Sequence, residues 1–176
     1  MKLKKGYIQI YTGNGKGKTT AAVGQAVRAA GAGLKTYIIQ FMKEYPYSEI
    51  ISLKILSEWI TVEQFGKDDF VYKGKMPGEV DVAAAKTGLR KAEDILLNGD
   101  YDLVILDEIL VAIYFKLFTA EDVLNLIRKK PDSTELILTG RYCPEEIIAK
   151  ADLVTEMNEV KHYYQIGVLS RKGIES

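Results

Sequence analysis

The chain has 176 residues, 47% of them hydrophobic, with 24 Lys+Arg balanced by 24 Asp+Glu and a single cysteine, Cys143. The balanced charge gives no electrostatic basis for nucleic acid or an anionic membrane as the main partner, and no run of 18 or more apolar residues is present to span a bilayer. A lone cysteine cannot form an internal disulfide, which suits a reducing cytoplasm. A chain of this length buries roughly 70% of its unfolded surface, so one domain over residues 1–176 is expected without disulfide or metal support. Residues 1–6 are too short, and too soon followed by a strand, to read as a signal peptide.

Strand and helix patterns alternate along the chain. Residues 7–12 read as a strand. Residues 18–31 read as a helix with Val23, Ala26, Val27 and Ala30 on one face, ended by Gly31 and Gly33. Residues 36–41 form a second strand. Residues 48–58 read as a helix that buries Ile51, Ile55, Leu56 and Trp59, and residues 60–65 as a short strand. Residues 66–79 hold three glycines and a proline and read as a long loop. A helix over 81–98 stops at Asn98-Gly99. The apolar run Leu103-Val104-Ile105-Leu106 suits a central strand buried on both faces, and it ends in Asp107-Glu108. Residues 119–130 form a helix with Thr119 as N-cap and Pro131 beyond its end. Residues 136–138 are another buried strand, followed by Thr139-Gly140-Arg141. A short helix over 144–150 and strands over 152–156 and 164–169 complete the pattern. Repeated βα units imply a mostly parallel sheet with helices on both faces. Ligands of such sheets bind outside the carboxyl ends of the strands. Residues 13–20, 41–44, 107–108 and 139–141 all follow strands and should gather at that edge.

The strongest chemical signal is Thr12-Gly13-Asn14-Gly15-Lys16-Gly17-Lys18-Thr19-Thr20, between the first strand and the first helix. The phosphate-loop pattern is G-x-x-x-x-G-K-[ST]. Thr12 stands where the first glycine of that pattern falls, so the loop from Gly13 is one residue short. Its glycines let the backbone curl around a phosphate, and the helix that follows adds the positive end of its dipole. Lys18 supplies a point charge, the Thr19 hydroxyl a ligand for Mg²⁺, and Lys16 and Thr20 further donors. A dinucleotide fingerprint is excluded: the third glycine it needs would fall at Lys18, and Gln40, not an acid, ends the second strand. Asp107-Glu108 behind the most apolar strand suits a divalent metal held directly or through water. The pair reads alternatively as a polar strand end or as the acid pair of a helix N-terminus, and its order does not say which acid touches the metal. Arg141 reads either as a phosphate or acid partner or as a surface arginine, and Arg28 as a solvated helix charge. His162 reads as a general acid or, more commonly for a lone histidine before a strand, as a structural group. Phe65, Phe70 and Tyr72 read equally as a lid over a flat apolar ligand and as loop packing against the core.

Nearly end to end, the chain resembles the ATP:corrinoid adenosyltransferases of the CobA/CobO/BtuR type. The segments that carry the resemblance are the phosphate loop from Tyr11 to Thr20, Arg28-Ala29-Ala30-Gly31, Gln40-Phe41-Met42-Lys43, and Tyr101-Asp102-Leu103-Val104-Ile105-Leu106-Asp107-Glu108. Leu138-Thr139-Gly140-Arg141, Ala151-Asp152-Leu153-Val154-Thr155-Glu156-Met157, Lys161-His162 and Gly173-Ile174-Glu175 complete the set. The shortened loop is the family's form and the most specific of these. The resemblance implies an α/β P-loop NTPase (RecA-like) fold and transfer of the 5′-deoxyadenosyl group of ATP to Co(I) of a reduced corrinoid, with release of triphosphate. It implies that Thr12, Gly13, Asn14, Gly15, Lys16, Gly17, Lys18, Thr19 and Thr20 hold the triphosphate, with Arg28 near the nucleotide. Lys18, Thr19 and Glu108 form the catalytic set, and Thr19 and Glu108, with Asp107, hold Mg²⁺ or Mn²⁺. ATP lies reversed relative to other P-loop proteins, and Phe70 and Tyr72 meet the corrinoid, cobalamin or a precursor. A homodimer and an electron-donating flavoprotein are implied as partners. Tyr72 replaces the family's tryptophan, and Ile109-Leu110 replaces a polar residue after the acid pair. An NTP-hydrolysing switch or regulator, with Glu108 activating water, stands as the alternative.

Overall fold

The computed structural model describes residues 2–45, 47–72 and 75–175, with the backbone alone at Tyr72. Six strands form one sheet in the order β3-β2-β4-β5-β1-β6. They are β1 (Ile8–Thr12), β2 (Thr36–Phe41), β3 (Ile60–Phe65), β4 (Leu103–Asp107), β5 (Glu135–Thr139) and β6 (Leu153–Glu156). Every pairing is parallel, so the mostly parallel expectation becomes an all-parallel sheet among the described residues. The strand carrying the phosphate loop, β1, is separated from the strand carrying the acid pair, β4, by β5.

Helices cover both faces, as the α/β P-loop NTPase-like fold requires. Side chains alternate across a strand, and the buried strands divide their residues accordingly. Ile38, Leu103, Ile105 and Ile137 face α1 (Lys18–Gly31) and α2 (Ser48–Leu53). Tyr37, Ile39, Val104, Leu106, Leu136 and Leu138 face the other helices. Those are α3 (Asp69–Tyr72), α4 (Glu79–Asn98), α5 (Ile109–Tyr114), α6 (Ala120–Arg128) and α7 (Glu145–Ile148). Helix α1 meets the sheet through Ala22, Ala26, Ala29 and Ala30. Those small side chains let it lie close; of the face expected from the sequence Ala26 and Ala30 are buried, Val23 packs at its edge, and Val27 is exposed. Helix α6 begins on Thr119, whose Oγ1 accepts from Asp122 N at 3.2 Å while Asp122 Oδ2 accepts from Thr119 N at 2.8 Å. This reciprocal pair satisfies two donors that the first turn leaves free.

Four expectations change. The 48–58 helix ends at Leu53 and continues as a 3₁₀ turn, Lys54–Leu56. Leu53 is its buried residue, while Ile51 and Ile55 are exposed. Part of the 66–79 loop is the short helix α3, and α4 starts earlier than 81. Residues 109–114, directly behind the acid pair, are a helix that the apolar run disguised. Finally, 164–169 is not a strand: a 3₁₀ turn, Tyr163–Ile166, occupies its start, because His162 Nδ1 accepts from Tyr164 N at 3.1 Å and caps it. His162 thus has the structural role.

Gly140, just past β5, is needed for its shape. Its φ of 139° lies in the left-handed range, and a Cβ there would stand 2.8 Å from Leu110 Cβ and 2.9 Å from Val111 N on α5. Gly140→Ala is expected to lower stability by about 1–3 kcal/mol, read as a shifted urea midpoint at constant m. Gly31→Ala, with open space around it, should be near neutral or slightly stabilising. Equal losses in the two variants would contradict the packing argument.

Candidate active site

The carboxyl ends of the strands do gather the motifs. The loop after β1 is pinned to the segment after β6: Met157 N donates to Thr12 O at 2.9 Å, and Gly15 N donates to Met157 O at 2.6 Å. Cβ atoms on Gly13 or Gly15 would come within 2.6 Å of the Met157 carbonyl oxygen. These glycines therefore permit a backbone contact with Met157, and the Gly15 N–H is already engaged by it. Gly17, with φ 119°, turns the chain into α1. Lys18 is buried, and its Nζ donates to Gly15 O at 2.7 Å. Burial lowers its pKa, against the attraction of Glu108. Thr12 is buried at the strand end, Asn14 and Lys16 are exposed on the loop, and Thr20 is exposed on α1.

Asp107 is the buried acid. Its Oδ1 accepts from Thr19 Oγ1 at 2.9 Å and from Thr139 Oγ1 at 2.7 Å, and its Oδ2 accepts from Gln40 Nε2 at 3.1 Å and Lys43 Nζ at 2.7 Å. Burial would raise its pKa, but the Lys43 ammonium and the hydroxyl donors outweigh it and hold the carboxyl below its ordinary range. Glu108 differs in every respect. It adopts φ 62° at the start of α5, fixed by its N–H donating to Thr139 Oγ1 at 3.0 Å. No hydrogen bond reaches its carboxylate among the described residues, and burial, then the nearby Asp107 charge, push its pKa up. The two acids that the sequence leaves equivalent are therefore unequal: Asp107 has its acceptor sites filled, and Glu108 has them open.

Thr19, Thr20, Lys43, Glu108 and Arg141 all line one cavity of about 990 Å³. Its walls are apolar, formed by Val23, Val27 and Leu53 on one side and Val71, Val111 and Phe115 on the other. Met42, Glu108 and Tyr142 also line it, and these are three of the four described non-glycine residues with positive φ; the fourth is Lys116. Such conformations cost roughly 1–3 kcal/mol each and cluster at functional sites. The residues after 162 close another side. Glu175, which lines the cavity, takes Lys16 Nζ at 3.0 Å, Arg171 N at 2.8 Å and the Tyr163 hydroxyl. The Arg171 guanidinium, then the Tyr163 hydroxyl, hold its carboxyl well below the usual range.

Not every expected residue reaches the cavity. Arg28 is exposed on the last turn of α1 and is not among the lining residues. Phe70 is buried in the core, its ring edge-on to Phe115 at 5.3 Å, while its neighbour Val71 faces the cavity. The Tyr72 side chain lies outside the described residues. Phe65 packs against the core. Lys43 and Thr139 were given no role by sequence reasoning. The available signal was their position, since each ends or follows a strand beside the acid pair.

Two substitutions separate the acids. Asp107→Ala leaves the buried Lys43 ammonium without its counter-charge and is expected to cost about 3–5 kcal/mol. The stability that Asp107 confers is present above the ordinary carboxylate range and is lost as pH falls through its depressed pKa. Glu108 has the opposite sign. Its raised pKa makes the folded state lose stability as pH climbs from the ordinary carboxylate range through the raised value. Glu108→Gln should therefore raise Tm at pH 7–8, with the gain vanishing near pH 4. Thermal melts across pH check both; a lower Tm for Glu108→Gln at pH 8 would contradict the assignment.

Comparison with known proteins places the same residues in a family. Residues 4–176 match the family model described as ATP:corrinoid adenosyltransferase BtuR/CobO/CobP. A corrinoid adenosyltransferase of Escherichia coli (strain K12) is 36% identical over 174 residues, covering 98% of this chain and 86% of the relative. The corrinoid adenosyltransferase CobA of Salmonella typhimurium is 34% identical over the same shares. One from Pseudomonas aeruginosa is 30% identical over 182 residues, 98% of this chain and 84% of its own. A match from residue 4 to residue 176, and relatives 30–36% identical over 98% of the chain, mean that the chain belongs to the ATP:corrinoid adenosyltransferase family.

Proposed function

We propose that this protein, acting as one nucleotide-binding domain, transfers the 5′-deoxyadenosyl group of ATP to the Co(I) centre of a reduced corrinoid. In that reaction Co(I) attacks the ribose C5′, a Co–C bond forms, and the C5′–O bond breaks with its electron pair leaving on triphosphate. The observation that carries the reading is the cavity. A cavity of about 990 Å³ that Thr19 and Thr20 of the phosphate motif line, with Val23, Val27, Val71, Val111 and Phe115 around it, leaves space beside the nucleotide for part of a bulky acceptor, which hydrolysis does not require. A protein base is not required either, since the nucleophile is a metal centre without a proton to lose.

The residues then have distinct tasks. Gly13 to Thr20 bind the triphosphate, aided by the N-terminus of α1. Lys18, held in low dielectric by its burial, stabilises charge that grows on the leaving oxygen. Arg141 lines the same cavity and adds a second cation. The donor set fits a hard divalent ion such as Mg²⁺ or Mn²⁺: Thr19 Oγ1 gives its proton to Asp107 and turns its lone pairs outward, and the Glu108 carboxylate is open. Bound there with the phosphates, such an ion would neutralise triphosphate charge. Asp107 acts one shell back, as the group that orients Thr19. Arg28 sits outside the cavity and is assigned no contact. Phe70 supports the corrinoid side through Phe115, and the α3 segment ending in Tyr72 is the corrinoid-facing element. A flavoprotein electron donor and a homodimer complete the reading, on the strength of the family resemblance.

The test is the phosphorus product. Incubation with ATP, a divalent metal and chemically reduced cobalamin should give free triphosphate by ³¹P NMR, together with a light-sensitive Co–C product. ADP and phosphate formed without corrinoid would overturn the proposal. Lys18→Ala is expected to lower kcat by about 10²–10³-fold, and near wild-type turnover would remove its role.

A further inference from the structure

The cavity wall built by α3 and α5 continues past the rim as a ledge. Tyr114, at the end of α5, and Tyr142, after β5, stack with ring centroids 4.1 Å apart and planes inclined by 27°. Both line the cavity, yet they remain 54% and 52% exposed. Their stack is continuous with the interior: Phe115 meets Tyr114 edge-on at 5.3 Å and Phe70 at the same distance. Tyr142 holds this position at φ 60°, a conformation that is unfavourable for a bulky side chain. A strained tyrosine kept in solvent, stacked on another beside a ligand cavity, is a surface shaped for a ligand.

We propose that the Tyr114–Tyr142 ledge is a docking surface for the corrinoid and a specificity determinant for the acceptor. The inference rests on the adenosyl-transfer reading above. Size selects the occupant. About 990 Å³ is the upper range for a single drug-sized ligand, so with ATP bound beside Thr19 and Glu108 the space left over admits only part of a corrinoid. A corrin ring with its peripheral side chains must then extend over the rim, where the half-exposed rings lie. A flat conjugated macrocycle gains from offset or edge contacts with such rings. The adenine is small enough to be enclosed and has no need of a ledge in solvent. Phe115 and Phe70 brace the tyrosines from behind, so the platform is firm.

The experiment is spectrophotometric titration with cob(II)alamin in the presence of ATP and a divalent metal, without reductant, so that binding is read without turnover. Tyr114→Ala and Tyr142→Gly are expected to weaken the cob(II)alamin Kd by about three- to tenfold, with the ATP Kd within about twofold of wild type. Tyr142→Phe keeps the ring and should retain wild-type affinity. Glycine suits φ 60°, so Tyr142→Gly is expected to fold with an equal or higher Tm. Unchanged cob(II)alamin affinity in both ring-removing variants would overturn the ledge. A parallel loss of ATP affinity would overturn it too, by assigning the rings to adenine. A wild-type protein that binds and adenosylates cobalamin while the variants bind equally well removes the ledge alone; a wild type that fails to bind cob(II)alamin overturns the transfer reading itself.

Discussion

The Asp107 carboxylate ties together four parts of the chain that are distant in sequence. Thr19 brings the first turn of α1, Gln40 the end of β2, Lys43 the turn beyond it, and Thr139 the end of β5. An ionised carboxylate buried without partners would cost several kcal/mol, so each donor has to be present for the charge to be tolerated. That requirement sets the height at which β2, β4 and β5 end and the rotation of α1 about its axis. It also reaches further out. Gln40 receives from Gln64 Nε2 at 2.9 Å, which links β3 to the same carboxylate, and Thr139 passes its lone pair to the Glu108 N–H. The left-handed turn at Glu108, and with it the direction in which that second acid points, depends on the node built by the first.

Much of this was legible in the residues, for reasons that differ by element. All six strands stand out because they carry apolar or β-branched runs of strand length. Helices α1, α4 and α6 stand out because caps and glycines bound them. The face of α1 was half legible: Ala26 and Ala30 are buried as expected, but close packing on a sheet favours the smallest side chains, so Ala22 and Ala29 join them while Val27 is exposed and lines the cavity with Val23. Helix α5 was missed because Ile109 to Tyr114 is apolar on nearly every side and directly follows a strand of the same character. Periodicity alone does not separate two buried segments joined without a turn signal. In the site, Lys18, Thr19 and the acid pair were visible as motif positions. The inequality of the acids was not, since it arises from donors on β2 and β5 that no local spacing reveals.

The shortened phosphate loop also has a cause visible only in three dimensions. Its glycines lie against the Met157 backbone, and the Gly15 N–H is bonded there. The loop is thus tied to the segment beyond the edge strand β6, and that segment leads into the 3₁₀ turn and Glu175, which grips Lys16. Loop, edge strand and final residues form one unit around the position proposed for the triphosphate. A loop held this way gives up one inward donor but gains a fixed shape before the nucleotide arrives, which reduces the ordering that binding must supply.

Electrostatics argue for which end of ATP this unit serves. Attack on the γ-phosphate needs a base for water: Asp107 has no acceptor site left for its proton, which leaves Glu108, its pKa pushed up by burial and by the Asp107 charge, as the one open carboxylate of the pair. Departure of triphosphate from C5′ needs something else, positive charge where the polyanion develops. Lys43 and Arg141 line the cavity together with Glu49, Asp68, Glu108 and Glu175, and it is around the acid pair that Lys18, Lys43 and Arg141 all act. Burial lowers the Lys18 pKa in the free protein, and a triphosphate beside it would raise it again. The strained residues follow the same logic. Met42 and Glu108 begin the turns that leave β2 and β4, and Tyr142 lies three residues beyond the end of β5. Their conformations direct the cavity-facing side chains toward a ligand, at a cost in stability that the Asp107 node is strong enough to carry.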